Sequence, residues 1–260
     1  MKTRPEFLRR RSFQGRFKQI MASVFAFAFV ALCMGCGGET HRQLFKRYES
    51  QFAEKRAQFK KIAQMLPAPG SVKEPTTANL SPKPVYDARS GTYNTEIVMY
   101  DQLLDPDIQS HDHTRLDLLL SGDLLVCMQW TGPKNPMSDS VLDKSAGDAE
   151  QELKAALALQ YLAVLRPATF VAPVAVDEST YKAGTADIEG FIVDMNRNSI
   201  VGSFRFNAKS ASQVEYSAKK SENKESRLEE FAYSSLYTDA LQKLGPLLQQ
   251  TTGGHFVLEK

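Results

Sequence analysis

His111, His113 and Asp117 put two imidazoles and a carboxylate within seven residues, the one cluster in this 260-residue chain with metal-ligand residue types. If the three converged they would suit zinc, and with it metal-dependent hydrolysis. On a strand the two histidines would share a face, but the flanking residues read as loop. The remaining histidines, His41 and His255, fall in an N-terminal helix and the tail, so no further ligand is placed by a recognisable pattern. A solvated polar loop is therefore the reading taken, and no metal or cofactor is expected. The sequence holds no Gly-x-Ser-x-Gly nucleophile elbow and no Gly-x-Gly-x-x-Gly or P-loop pattern. Cys127 sits in the apolar run Leu124-Leu125-Val126-Cys127-Met128-Gln129-Trp130. It lacks the basic or helix-terminal setting of a reactive thiolate, and reads as a small buried hydrophobe.

The first 35 residues have the layout of an export signal. Lys2, Arg4, Arg9, Arg10, Arg11, Arg16 and Lys18 precede an apolar run from Ile20 to Met34. At roughly 15 residues that run is short for a bilayer span, which takes about 20, and suits a signal-peptide core. The leader holds seven of the 32 Lys+Arg and one of the 30 Asp+Glu, so residues 36–260 carry 25 basic and 29 acidic side chains. A net charge near −4 lacks the electrostatic footprint of a nucleic-acid binder. Once Cys33 and Cys36 are set aside, Cys127 has no disulfide partner, and the core alone must hold the domain.

Cys33-Met34-Gly35-Cys36 resembles the lipobox of bacterial lipoproteins, Leu-(Ala/Ser)-(Gly/Ala)-Cys. It matches at Gly35 and Cys36 and departs at Cys33, where leucine is usual. The resemblance implies cleavage before Cys36 and lipidation of its thiol, with palmitate among the acyl chains. Gly37 stands where inner-membrane lipoproteins often carry Asp, which implies the outer membrane, facing the periplasm. Arg10-Arg11-Ser12-Phe13 resembles the twin-arginine export motif, which leaves Sec and twin-arginine routes both open.

Residues 39–66 predict one helix, with Phe45, Tyr48, Phe52, Phe59, Ile62 and Leu66 on a stripe that Lys55 interrupts. The stripe is read as packing on the protein's own domain, with weak self-association the alternative. Pro67-Ala68-Pro69-Gly70 stops the helix, and Pro75, Pro82 and Pro84 mark residues 67–91 as a linker. Residues 94–100 predict a strand, and residues 116–120 and 124–130 a hairpin about Ser121-Gly122-Asp123. Residues 145–159 predict a helix, 161–165 a strand, and 170–176 an edge strand broken by Pro173. A hairpin turns at Asn196-Arg197-Asn198-Ser199, with Ile200, Phe204 and Phe206 facing the core and Val201, Ser203 and Arg205 outward. The rings are expected near Phe231 and Leu236. A last helix over 221–244 should end at Gly245-Pro246, with Gly253-Gly254 in a flexible tail.

Val193-Asp194-Met195, the Asn196-to-Ser199 turn and Ile200-Val201-Gly202-Ser203, followed by an amphipathic helix, are similar to a segment of the envelope lipoproteins of the curli secretion channel and penicillin-binding-protein activators. No binding residue is carried over from them. The fold expected is α+β, a mostly antiparallel sheet with two or three packed helices. The segments are a signal peptide (1–35), a lipidated N-terminus and helical stalk (36–66), a proline-rich linker (67–91) and a globular domain (92–260) that folds without the stalk. The expected role is a non-enzymatic membrane-anchored lipoprotein of the cell envelope that contacts other envelope proteins and no nucleic acid. The alternative is a periplasmic metal-dependent hydrolase using His111, His113 and Asp117.

Overall fold

The computed structural model describes residues 38–108, 122–213 and 223–258. Its elements run α1 (His41–Met65), β1 (Val85–Asp87), β2 (Thr92–Tyr93), β3 (Thr95–Met99), α2 (Tyr100–Leu104), α3 (Asp123–Thr131), α4 (Asp139–Leu142) and α5 (Ala149–Leu157). After them come β4 (Tyr161–Val171), β5 (Val174–Ala175), β6 (Tyr181–Lys182), β7 (Thr185–Asp194), β8 (Ser199–Lys209), α6 (Lys224–Thr252) and β9 (His255–Val257). The expected α+β class holds. A four-stranded sheet in the order β3-β4-β7-β8 is antiparallel except for the β3–β4 pair. Smaller sheets are formed by β2-β1-β9 and by β5-β6.

Both faces of the main sheet are covered, so its strands alternate between two apolar cores rather than between core and water. Val98, Leu162, Val164, Phe191 and Val193 face α1, α3 and α5. Ile97, Ala163, Leu165, Ile188, Phe204 and Phe206 face α6, which brings Leu236, Ala240, Leu244 and Leu248. Tyr161–Leu165 and Thr95–Met99 are consequently buried throughout.

α1 starts and stops where its sequence says. Thr40 caps it in a reciprocal capping box with Gln43, and Pro67 follows the Leu66 C-cap. Its stripe is buried within the same chain: Leu44, Phe52, Phe59 and Ile62 are fully enclosed, against α2, α3 and α5. The helix is thus a wall of the core, not a stalk. The proline-rich segment is likewise built in. Val72 and Leu80 are buried, Thr76 bridges Ser203, and β1 pairs with β9. Residues 37–260 form one unit, so no boundary falls at Thr92.

Residues 124–130 belong to a helix, not to the expected hairpin. A seven-residue apolar run carries no period of its own. Once the segment packs against α1 and α5, with Leu124, Leu125, Cys127 and Met128 all buried, a helix satisfies its amides internally. The preceding residues, 116–120, lie outside the described residues. α6 also overruns its expected end. Pro246 sits inside it, and the helix closes seven residues later at Gly253, whose φ of 64° suits a left-handed C-cap. An interior proline costs about 3 kcal/mol. The four-residue spacing of Leu236, Ala240, Leu244 and Leu248 continues across it, and each buried leucine offsets roughly 1.5–3 kcal/mol of that cost. Gly254 and its successors lead into β9 rather than a flexible tail.

The β7–β8 hairpin forms about the expected turn, with Asn198 left-handed at φ 49°. A bulge shifts its register: Val193 pairs Ile200 while Ile192 pairs Gly202. Ile200 is thereby turned outward, 36% exposed, while Phe204 and Phe206 keep the core face. Their rings stack at 6.2 Å and share a core with Leu236. Phe231 lies instead under the Arg227 guanidinium, 5.3 Å from its ring centre. Phe170 and Val171 extend β4, a central strand. Pro167 is accommodated there by a second register shift, between Pro167 and Thr169.

Candidate functional site

Two glutamates of the main sheet point to the same side, and their surroundings treat them oppositely. Glu189 on β7 is fully buried beside Arg166 of β4. Arg166 donates to its Oε2 at 2.8 Å, and the Val72 amide donates to its Oε1 at 2.9 Å. Burial pushes the Glu189 carboxyl up, but the Val72 amide, Arg166 and the Gly70 amide together hold it below the usual carboxylate range. Arg166 also donates to the Pro67 carbonyl at 2.7 Å and lies over the Phe191 ring at 5.1 Å. Beside them Arg205 pairs with Asp187 through Nε at 2.8 Å and through Nη2, and donates to the Val72 carbonyl at 3.1 Å. Arg205 is exposed, as its outward position predicts, and these bonds tether its side chain to Asp187 and the Val72 carbonyl. The whole cluster clamps residues 67–72 onto the sheet, with both glutamate oxygens satisfied.

Among the described residues Glu96 on β3 has no such counter-ion. It is 1% exposed, and its Oε1 has no hydrogen-bond partner. Burial pushes the carboxyl up to about 8, against the pull of the Leu124 and Leu125 amides. Those amides occupy the second and third positions of α3, whose N-cap is Gly122. An N-cap side chain normally serves such orphan donors. Here the carboxyl arrives from the neighbouring strand. A Cβ on Gly122 would lie 1.5 Å from Glu96 Oε1, so only glycine leaves room for it.

This corner borders a cavity of about 210 Å³, lined by Tyr86 and Asp87 of β1, Tyr93 of β2, Glu96, Gly122 and Asp123. The Tyr86 and Tyr93 rings sit 6.4 Å apart. Burial, with Glu96, Asp123 and Tyr237, pushes the Tyr86 phenol up to about 12. Asp87 is held below the usual range by Ser90 and Arg89 of its own turn. Among the described residues that line it, none is basic.

Of the residues singled out in the sequence, Cys36, His111, His113 and Asp117 lie outside the described residues. Among the described residues no group of three His, Cys, Asp or Glu side chains is placed to hold a metal ion. Cys127 is 1% exposed, and burial, followed by Asp123, Glu152 and Glu96, pushes its thiol up, as a structural cysteine requires. Glu96 was not singled out. The signal for it was a lone charge within Thr95-Glu96-Ile97-Val98-Met99, a run otherwise fit for burial on both faces. No protein-family model, no curated protein and no solved structure matches the chain.

Proposed function

We propose that this chain is a non-enzymatic envelope lipoprotein, held through acylated Cys36 at a membrane, the outer membrane facing the periplasm, where its α+β body contacts other envelope proteins. The observation that carries the reading is the closeness of the fold to that cysteine. The Glu39 carbonyl already accepts from the Ala146 amide at 2.9 Å, and Thr40 caps α1. Three residues, 37–39, span at most about 10 Å, so a lipid on Cys36 would hold the body against the bilayer. No described helix is long and apolar enough to cross a membrane, and an acyl anchor requires none: each buried methylene contributes about 0.8 kcal/mol, and several chains bind stably.

Contact with proteins is supported by the far end of the body. α1 begins beside Ser145, its Gln58 donates to the Met195 carbonyl, and Pro67 lies level with Arg166. Along the sheet this progression leads from the Tyr161 end of β4 toward Val171. There Val171, Val174 and Val176 are 58%, 52% and 60% exposed. Clustered exposed apolar residues mark interaction surfaces, and these lie at the end of the sheet away from the start of α1. The test is fatty-acid labelling: wild type should incorporate labelled palmitate, and Cys36→Ser should accumulate as unlabelled precursor. Equal labelling of both would overturn the reading. Stoichiometric zinc in the purified protein, lost in His113→Ala, would favour the metal-dependent hydrolase built on His111, His113 and Asp117.

A further inference from the structure

We infer that the cavity between the β1–β2 hairpin and the start of α3 is a binding site for a small organic ammonium ion, with Glu96 as its anionic partner. A buried carboxyl oxygen without a donor is costly, and such orphans call for a missing partner. Glu96 Oε1 is that orphan, and Glu96 forms part of the cavity wall. An ammonium supplies the missing N–H donors and the missing positive charge together.

The rest of the wall has the same preference. Asp87 adds a carboxylate, and Tyr86 and Tyr93 add two ring faces, the combination that attracts cations through charge and ring quadrupole. Among the described residues, the titratable groups that face Glu96 are Tyr86 and Asp87 on β1, Tyr93 on β2, and Asp123 and Cys127 on α3. Tyr237 of α6 acts on Tyr86, and His255 of β9 stands 4.0 Å from Asp87. A metal ion fits less well, since no three of the acidic groups converge among the described residues. At about 210 Å³ the space is below the roughly 300–1,000 Å³ of drug-sized sites, which limits the guest to a few heavy atoms.

Binding must displace the Glu96 proton, whose pKa lies near 8. Affinity therefore rises with pH between 6 and 8, while an alkylammonium, like lysine, stays charged. The test titrates ethylammonium chloride into the purified full chain, read by saturation-transfer NMR, with propionate and ethanol as anionic and neutral controls. Saturable binding with Kd on the order of 1 mM at pH 8 is expected, weakened at least tenfold at pH 6 and at least tenfold in Glu96→Gln. Tyr93→Leu, which leaves the α3 cap untouched, should weaken it about threefold, and decides the matter together with the pH dependence if Glu96→Gln does not fold. No saturable binding, meaning that the cavity holds only water, overturns the inference. So does equal binding of propionate, or affinity unchanged by pH and by both substitutions.

Discussion

Phe204 and Gly190 face each other across β7 and β8, and the geometry makes their energies inseparable. The ring is fully buried, and a Cβ on Gly190 would lie 2.1 Å from its Cζ. Truncating Phe204 to alanine should cost about 3–5 kcal/mol, through lost transfer energy and a residual cavity. In a chain of this size each kcal/mol moves Tm by about 2–4 °C, so a fall of roughly 6–20 °C follows. Gly190→Ala alone forces the ring off its seat and should cost about 1–3 kcal/mol. Once the ring is gone that clash vanishes, while the strand gains roughly 0.5–1 kcal/mol from replacing glycine. The double variant should therefore be no less stable than Phe204→Ala alone, giving a coupling of about 1.5–4 kcal/mol. Urea denaturation of the four proteins at one pH, with m-values compared, measures it. Costs that add within about 0.5 kcal/mol would refute the packing described here, and a Phe204→Ala variant as stable as wild type would refute the hairpin register itself.

Residues 88–260 alone should not melt cooperatively, because α1 encloses Leu44, Phe52, Phe59 and Ile62. At roughly 1.5–3 kcal/mol each, these approach the whole stability of a typical domain, about 5–15 kcal/mol; a sharp calorimetric transition in that fragment would contradict this. Arg205→Ala should cost about 1–2 kcal/mol rather than the few tenths of a free surface arginine, since it releases both Asp187 and the Val72 carbonyl; chemical denaturation reads the difference. Glu96 should make the protein less stable as pH rises. Its folded-state pKa of about 8 lies above the unfolded value near 4.3, so its contribution is fully present below the unfolded pKa and lost as pH rises through the folded one. Urea midpoints at pH 5, 6.5 and 8 should fall along that series in wild type and flatten in Glu96→Gln; parallel curves would count against an unpaired buried carboxyl.

Features with a local period were legible in the residues themselves. The α1 stripe, the Thr95–Met99 strand, the helix before Tyr161 and the Asn196–Ser199 hairpin turn follow from spacings that a few neighbouring side chains define. Pro67 ended α1 because its missing amide acts within its own turn. The tertiary structure decided what depended on distant partners. The run 124–130 became a helix only against α1 and α5, and Pro246 was tolerated only because leucines on both sides of it had a sheet to meet. Ile200 left the core through a bulge opposite Ile192 and Val193 that no alternation in β8 announces. The proline-rich segment looked like a linker because Glu189 and Arg166, which hold residues 67–72, lie about a hundred positions away. Glu96 and Gly122 were two unremarkable residues until folding pressed the carboxyl into the space a side chain on Gly122 would have filled. Burial of charge, unlike amphipathic period, is set by whichever groups the chain brings together from afar, and it leaves little local trace.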